Sequence, residues 1–205
     1  KPLPPAPPLT TEELSASTTH FELVDGELRG PGADLLRDEL GRHGVIVLGE
    51  YHGSRRTSEF VRALIPGLHE AGFRHLALEV GPTAARVLRD LADDGTGTVE
   101  ALRDFHTRYT IERAGRPRPA IPFVTGISDA HFLAEAARAG WSWFGVDQEF
   151  IYGLLPLVDH VVPRLRAAGV DSGSVAVRAR AAVRRIHAAD GDDDPNPAIA
   201  LESSA

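Results

Sequence analysis

The chain of 205 residues has no cysteine. That excludes disulfides, thiolate metal sites and cysteine nucleophiles, and it fits either redox compartment. Lys1 is the only lysine and every other basic residue is arginine, so a Schiff-base lysine is not expected. Methionine is also absent. Lys1 is therefore read as something other than a native start, with a signal peptide or a longer N-terminal region removed. Apolar runs are short: no window stays apolar for the ~18 residues a membrane span needs, so no transmembrane segment is expected. A net charge of −7 argues against nucleic acid or an anionic membrane as the main partner. A small-molecule or peptide substrate is expected instead.

The opening "KPLPPAPPLTTEELSAS" is rich in proline and then in serine and threonine. Residues 1–18 are expected to form an extended linker of the kind that follows a cleaved signal or lipid anchor. Secretion or a periplasmic location is the expectation, with the cytoplasm as the alternative.

With 42% hydrophobic residues the chain can bury one ordinary core. "HFELVDGELRG" carries a D-G signal between strand-like pieces, which predicts a short hairpin. "GADLLRDELGRHG" has apolar residues at helical spacing before a glycine. "VIVLGE" (Val45–Glu50) is a continuous β-branched run, typical of a strand covered on both faces. A helical stripe of Phe60, Val61, Leu64, Ile65 and Leu68 follows, with a kink expected at Pro66. "RHLALEVG" is the next strand. Strand, helix and strand in this order predict a parallel βαβ unit.

Further helices are expected at "PTAARVLRDLADDG", at "TVEALRDFHTRYTIERAG" and at "SDAHFLAEAARAG", the last capped by Ser128 or Asp129. "RPRPAIPFVTG" reads as an irregular loop and "WSWFGVDQEF" as a third strand. Two more helices reach residue 189, and an acidic flexible tail is expected over 190–205. The whole is an α/β domain over residues 19–189, with a mostly parallel β-sheet flanked by helices. Three strands make a small sheet, so an incomplete or truncated version of a larger fold is expected.

Each expected strand ends in acid. Open parallel sheets bind ligands beyond the carboxyl ends of their strands. The first strand ends in Glu50 and His52, the second in Glu79, the third in Asp147 and Glu149. Four carboxylates and an imidazole at one rim would repel and pay for desolvation. A bound cation, a shared proton, a cationic substrate, or Arg55 and Arg56 would compensate. One histidine among several oxygens suits a divalent ion such as manganese, zinc or cobalt. A histidine poised by a carboxylate is equally the layout of a general base. Against this stands the plainer alternative, that an acid at a strand end caps the following helix or pairs with arginine.

At "LGEYHGS…FVRALIPGLHEAGFRHLALEVG" the chain resembles the superfamily of erythromycin esterases, ChaN-type haem-binding lipoproteins, TraB proteins and Tiki proteases. The resemblance covers roughly residues 45–153. It rests on Gly49, Glu50 and His52 in a G-E-x-H motif, on Glu79 after the second strand, and on Asp147 in "FGVDQEF". The esterases read G-E-x-T-H-G, one residue longer; the spacing here is nearer the ChaN and Tiki form, while "HGSRR" is nearer the esterase form. The later histidine motif of these families is not visible before Ala205.

The resemblance implies an α/β fold and one of three chemistries: metal-free hydrolysis with histidine as base, metal-dependent proteolysis, or haem binding without catalysis. The expectation adopted is an ester or peptide hydrolase. His52 would activate water with Glu50, Glu79 and Asp147, and Arg55 would stabilise the developing oxyanion. Tyr51, Arg56 and Glu149 would bind substrate. Glu50, His52, Glu79 and Asp147 would hold a metal if one is used. The alternatives are a haem-binding module with His52 or Tyr51 as axial ligand, and a catalytically degenerate interaction domain.

Other candidates are weaker. His69-Glu70 opens like H-E-x-x-H, but Phe73 stands at the last position. The pair is expected on an exposed helix face. His75 reads as a boundary residue, and His106 and His131 as surface or lid residues. Trp141 and Trp143 are expected in the core. "DGDDD" lacks the glycine and the last acid of a calcium loop. "VRARAAVRRIH" reads as a solvated helix face.

Overall fold

The computed structural model describes residues 10–113, 115–170 and 173–189. It opens with a helix, α1 (Thr11–Ser17), where an extended linker is expected. The cause is a capping box: the Glu13 N–H donates to the Thr10 hydroxyl at 3.2 Å, and the Thr10 N–H donates back to the Glu13 carboxylate at 2.8 Å. Two N–H groups that a helix start would leave bare are thereby satisfied. The rest of the expected linker, at 1–9, and the tail at 190–205 lie outside the described residues.

The D-G hairpin forms as expected, with β1 (Glu22–Val24) antiparallel to β2 (Glu27–Arg29). Asp25 and Gly26 take φ of 53° and 82°, the two left-handed residues of a turn whose twist matches the strands. Then come α2 (Pro31–Leu40), α3 (Arg55–Glu70), β3 (His75–Leu78), α4 (Pro82–Ala92) and α5 (Thr98–Tyr109). Although Pro66 lies within α3, the helix runs on to Glu70 without interruption. Next are β4 (Ile111–Arg113), β5 (Arg116–Arg118), α6 (Ile127–Arg138) and β6 (Ser142–Gly145). A short 3-10 turn at Ile151–Gly153 leads into α7 (Leu154–Ala167), and α8 (Gly173–Ala189) closes the described chain. The β4–β5 antiparallel hairpin replaces the end of the helix and the start of the loop expected there.

The protein is α/β, but its parallel sheet is smaller than expected. Among the described residues it consists of β3 and β6, paired from His75↔Ser142 to Leu78↔Gly145. Val45–Glu50, expected as the first strand, joins no ladder. Val45 and Val47 are 77% and 87% exposed. A β-branched run makes an extended backbone favourable, but pairing also needs a partner edge about 4.8 Å away, which is a tertiary matter. The βαβ crossover that forms instead runs from β3 through α4, α5 and α6 to β6.

The core lies on one side of this pair. Leu78, Val80, Trp141 and Trp143 pack with α4 and α6, and Ile65, Leu88, Ile121 and Leu133 are almost fully buried. Each such side chain stabilises the fold by about 2 kcal/mol through burial. Trp141 donates its indole N–H to His69 Nδ1 at 3.1 Å. His69 is therefore half-buried and bonded, not on the open helix face expected for it. The other side of the pair is open at Phe144 and Val146. No helix among the described residues is long and apolar enough to cross a membrane.

Candidate functional site

A cleft of about 750 Å³ separates Val45–Glu50 from β3. Glu50 and Glu79 line it, with Thr57, Ser58, Phe123 and Asp129 among the other walls. The segment along its outer side is tied by few bonds. Among the described residues no backbone–backbone hydrogen bond involves residues 43–50, and the first one beyond them is Ser54 N–H to the Tyr51 carbonyl at 3.0 Å.

His52 follows this segment. Its Nδ1 lies 3.5 Å from Glu50 Oε1, a distance for an ion pair rather than a formed hydrogen bond. Phe123 covers one face of its ring: the two rings stack with centroids 3.9 Å apart and an interplanar angle of 14°. Gly53, at φ +74°, turns the chain into α3. Ser54 makes no side-chain cap. Thr57 N–H donates to the Ser54 carbonyl at 3.0 Å, and among the described residues the N–H groups of Arg55 and Arg56, the first two of α3, meet no backbone acceptor.

The other expected site residues are dispersed. Tyr51 is 84% exposed. Arg55 reaches along its own helix to Glu59 at 3.4 Å, and Arg56 is exposed; none of the three lines the cleft. Asp147 is held by its N–H to the Val80 carbonyl at 3.1 Å. Its Oδ1 accepts the N–H of Gln148 at 2.7 Å, and it too stands outside the cleft lining.

Glu149 has a structural role. Its carboxylate accepts the N–H of Thr83 at the start of α4 and fills the space over Gly81, where a Cβ would collide with it. Glu149 thus caps a helix, the plainer of the two roles its position at a strand end allowed. The positive end of α4 and its free N–H groups stabilise the carboxylate there.

The metal set is corrected. Among the described residues no three His, Asp or Glu side chains converge closely enough to hold a metal ion. Glu50 and His52 ride on the unpaired segment, while the Asp147 carboxylate is turned back on its own loop. The described residues do not form a divalent-ion site.

Two features were not read from the sequence. The first is a carboxylate junction on the inner wall of the cleft. Asp129, the third residue of α6, accepts the N–H groups of Thr125 at 2.9 Å and Gly126 at 2.7 Å. It also accepts the hydroxyl of Ser58, on α3. Asp129 was expected as a helix cap; it caps from inside the helix and joins α3 to α6 as well. A Ser/Thr/Asp pattern signals only the first role.

The second is His106, expected at the surface. It is half-buried, and its Nε2–H donates to the Val124 carbonyl at 2.8 Å. Burial holds its pKa below the ordinary imidazole value, partly opposed by the Val124 bond and by Asp129. Nδ1 is buried without a hydrogen-bond partner, which marks the neutral ring as the fitting state. His75, expected as a boundary residue, is the first residue of β3 and lines the cleft, and His131 is exposed, as expected.

The comparisons with family models, with curated proteins and with solved structures returned no match.

Proposed function

We propose that the protein is a hydrolase acting on an ester or peptide bond, with His52 as the base that activates water. The observation that carries this reading is the Glu50–His52 pair, in which Glu50 lines a cleft that also contains Glu79 and His52 stacks on Phe123 of the same cleft wall. Glu50 beside Nδ1 favours the tautomer with its proton on that nitrogen, leaving Nε2 free to take a proton from water. As the imidazolium forms, the Glu50 carboxylate stabilises it. The start of α3 follows directly after His52, and its positive end would favour the developing oxyanion; Arg55, paired with Glu59, and Arg56 would have to turn from their present positions to assist. Glu79 would serve as a second acid on the far wall.

The finer fold reading goes with this proposal: an incomplete erythromycin esterase/ChaN-like arrangement. It is supported by the order of G-E-x-H turn, helix, strand and acid, and by the extended segment lying across the cleft from β3. The test is hydrolysis of activated esters and of a peptide library by the wild-type chain and by His52→Ala and Glu50→Gln. A base at His52 predicts a loss of about 10²-fold or more for His52→Ala. A smaller loss is expected for Glu50→Gln. Activity in the wild type that survives His52→Ala ends the mechanism.

A further inference from the structure

We infer that Phe123 is a positioning residue for His52, a fixed aromatic plate on the cleft wall that holds the imidazole beside the cleft. The inference rests on the reading of His52 as the base. It deepens that reading by naming what holds the base in place.

Backbone geometry is the first observation. Phe123 has φ +67°, the left-handed region, where an L-residue with a large side chain is strained. Such strain persists only where the surroundings impose it, and it concentrates at functional sites.

Here the surroundings are identifiable. On one side of Phe123, Ala120 and Ile121 are 2% and 1% exposed; on the other, Val124 is 4% exposed. The Val124 carbonyl is held by His106, and the next two N–H groups by Asp129. The loop is pinned from both sides, and its left-handed turn throws the Phe123 ring outward.

The second observation is where that ring goes. One face meets His52 nearly parallel at 3.9 Å. Phe150 meets it edge-on at 5.6 Å and 87°, which limits its freedom to turn. The contrast between the two partners gives the direction of support. Phe123 stands on a buried, bonded loop, while His52 stands on a segment with few bonds of its own. The plate therefore positions the imidazole, and the reverse does not hold. With one face covered and Glu50 beside Nδ1, the ring keeps its Nε2 edge available. Errors of about 1 Å in such placement can cost 10²-fold in rate.

The test compares Phe123→Leu, Phe123→Tyr, Phe123→Gly and Phe123→Ala in the full chain, with circular dichroism to verify folding. The first readout is proton NMR of the His52 ring, assigned by its loss in His52→Ala. Stacking predicts ring-current upfield shifts of the His52 carbon-bound protons in the wild type, kept in Phe123→Tyr and lost in Phe123→Leu. Ordinary positions in the wild type overturn the inference.

The second readout is kinetic, on the best ester or peptide found for the wild type. Phe123→Leu should lower kcat about tenfold or more with little change in KM, and Phe123→Tyr should restore it. Unchanged kcat in Phe123→Leu, where His52→Ala is inactive, also overturns it. Phe123→Gly should be more stable than Phe123→Ala, because glycine accepts the left-handed backbone; the opposite order overturns the backbone argument. If the ring shifts behave as expected and no substrate is turned over by any form, the clamp stands and the hydrolase reading fails.

Discussion

Glu149 accepts the backbone N–H of Thr83, a residue 66 positions earlier in the chain. The loop after β6 thus supplies the cap that α4 lacks in its own sequence, since Gly81 has no side chain to offer. Glu149→Ala should destabilise the protein by about 1–2 kcal/mol, as the loss of a helix cap does. Gly81→Ala should also destabilise it, because the new Cβ meets the Glu149 carboxylate. The two effects should not add, since each displaces the same group. Urea unfolding of both variants and of the double variant measures this. Additive losses would show that the capping contact does not form.

Among the described residues no strand pairs with the edge of β3 opposite β6. In a parallel ladder alternate residues point their N–H groups to opposite sides. Because Ser142 and Val146 donate to the Arg74 and Leu78 carbonyls, Leu76 and Leu78 face β6, and His75, Ala77 and Glu79 face the cleft. Amide hydrogen exchange should therefore be slow at Leu76 and Leu78 and fast at Ala77 and Glu79. Equal protection at all four would place Val45–Glu50 on the edge as a third strand.

Two histidines make stability depend on pH with the same sign. His106 is held below its ordinary pKa of 6.5 by burial, and His160 by burial and then by Arg164. In both, the unfolded chain takes up a proton more readily than the folded one. Their contribution is complete above about pH 6.5 and is lost as pH falls from there towards the folded values. Urea midpoints should drop across this window, and His106→Gln, which is neutral throughout, should flatten the decline. An unchanged slope in that variant would remove His106 as a cause.

The same local rules that succeed elsewhere in the chain explain where the expectations miss. D-G between apolar alternations specifies a hairpin because only a left-handed pair of residues closes it, and Asp25-Gly26 does so. Trp141 and Trp143 were legible as core, and both are 6% exposed. The Glu50–His52 pair was legible too, because two residues on one extended stretch stay close whatever the stretch packs against. The convergence of Glu79, Asp147 and Glu149 on that pair was not. It required the first strand to sit in the sheet, and strand pairing is decided by a partner edge elsewhere in the chain.

The sequence by itself determined the α/β class, the hairpin turn, the apolar faces of the helices and the local acid–imidazole pair. All of these depend on periodicity, turn conformation or neighbours within a few residues. Only the tertiary structure decided that Glu149 caps α4, that Asp129 takes the hydroxyl of Ser58, that His106 is half-buried and neutral under Val124, and that Phe123 stacks on His52. Each of these joins groups 18 to 71 positions apart, a range over which sequence spacing sets no distance and packing of the whole chain sets it instead.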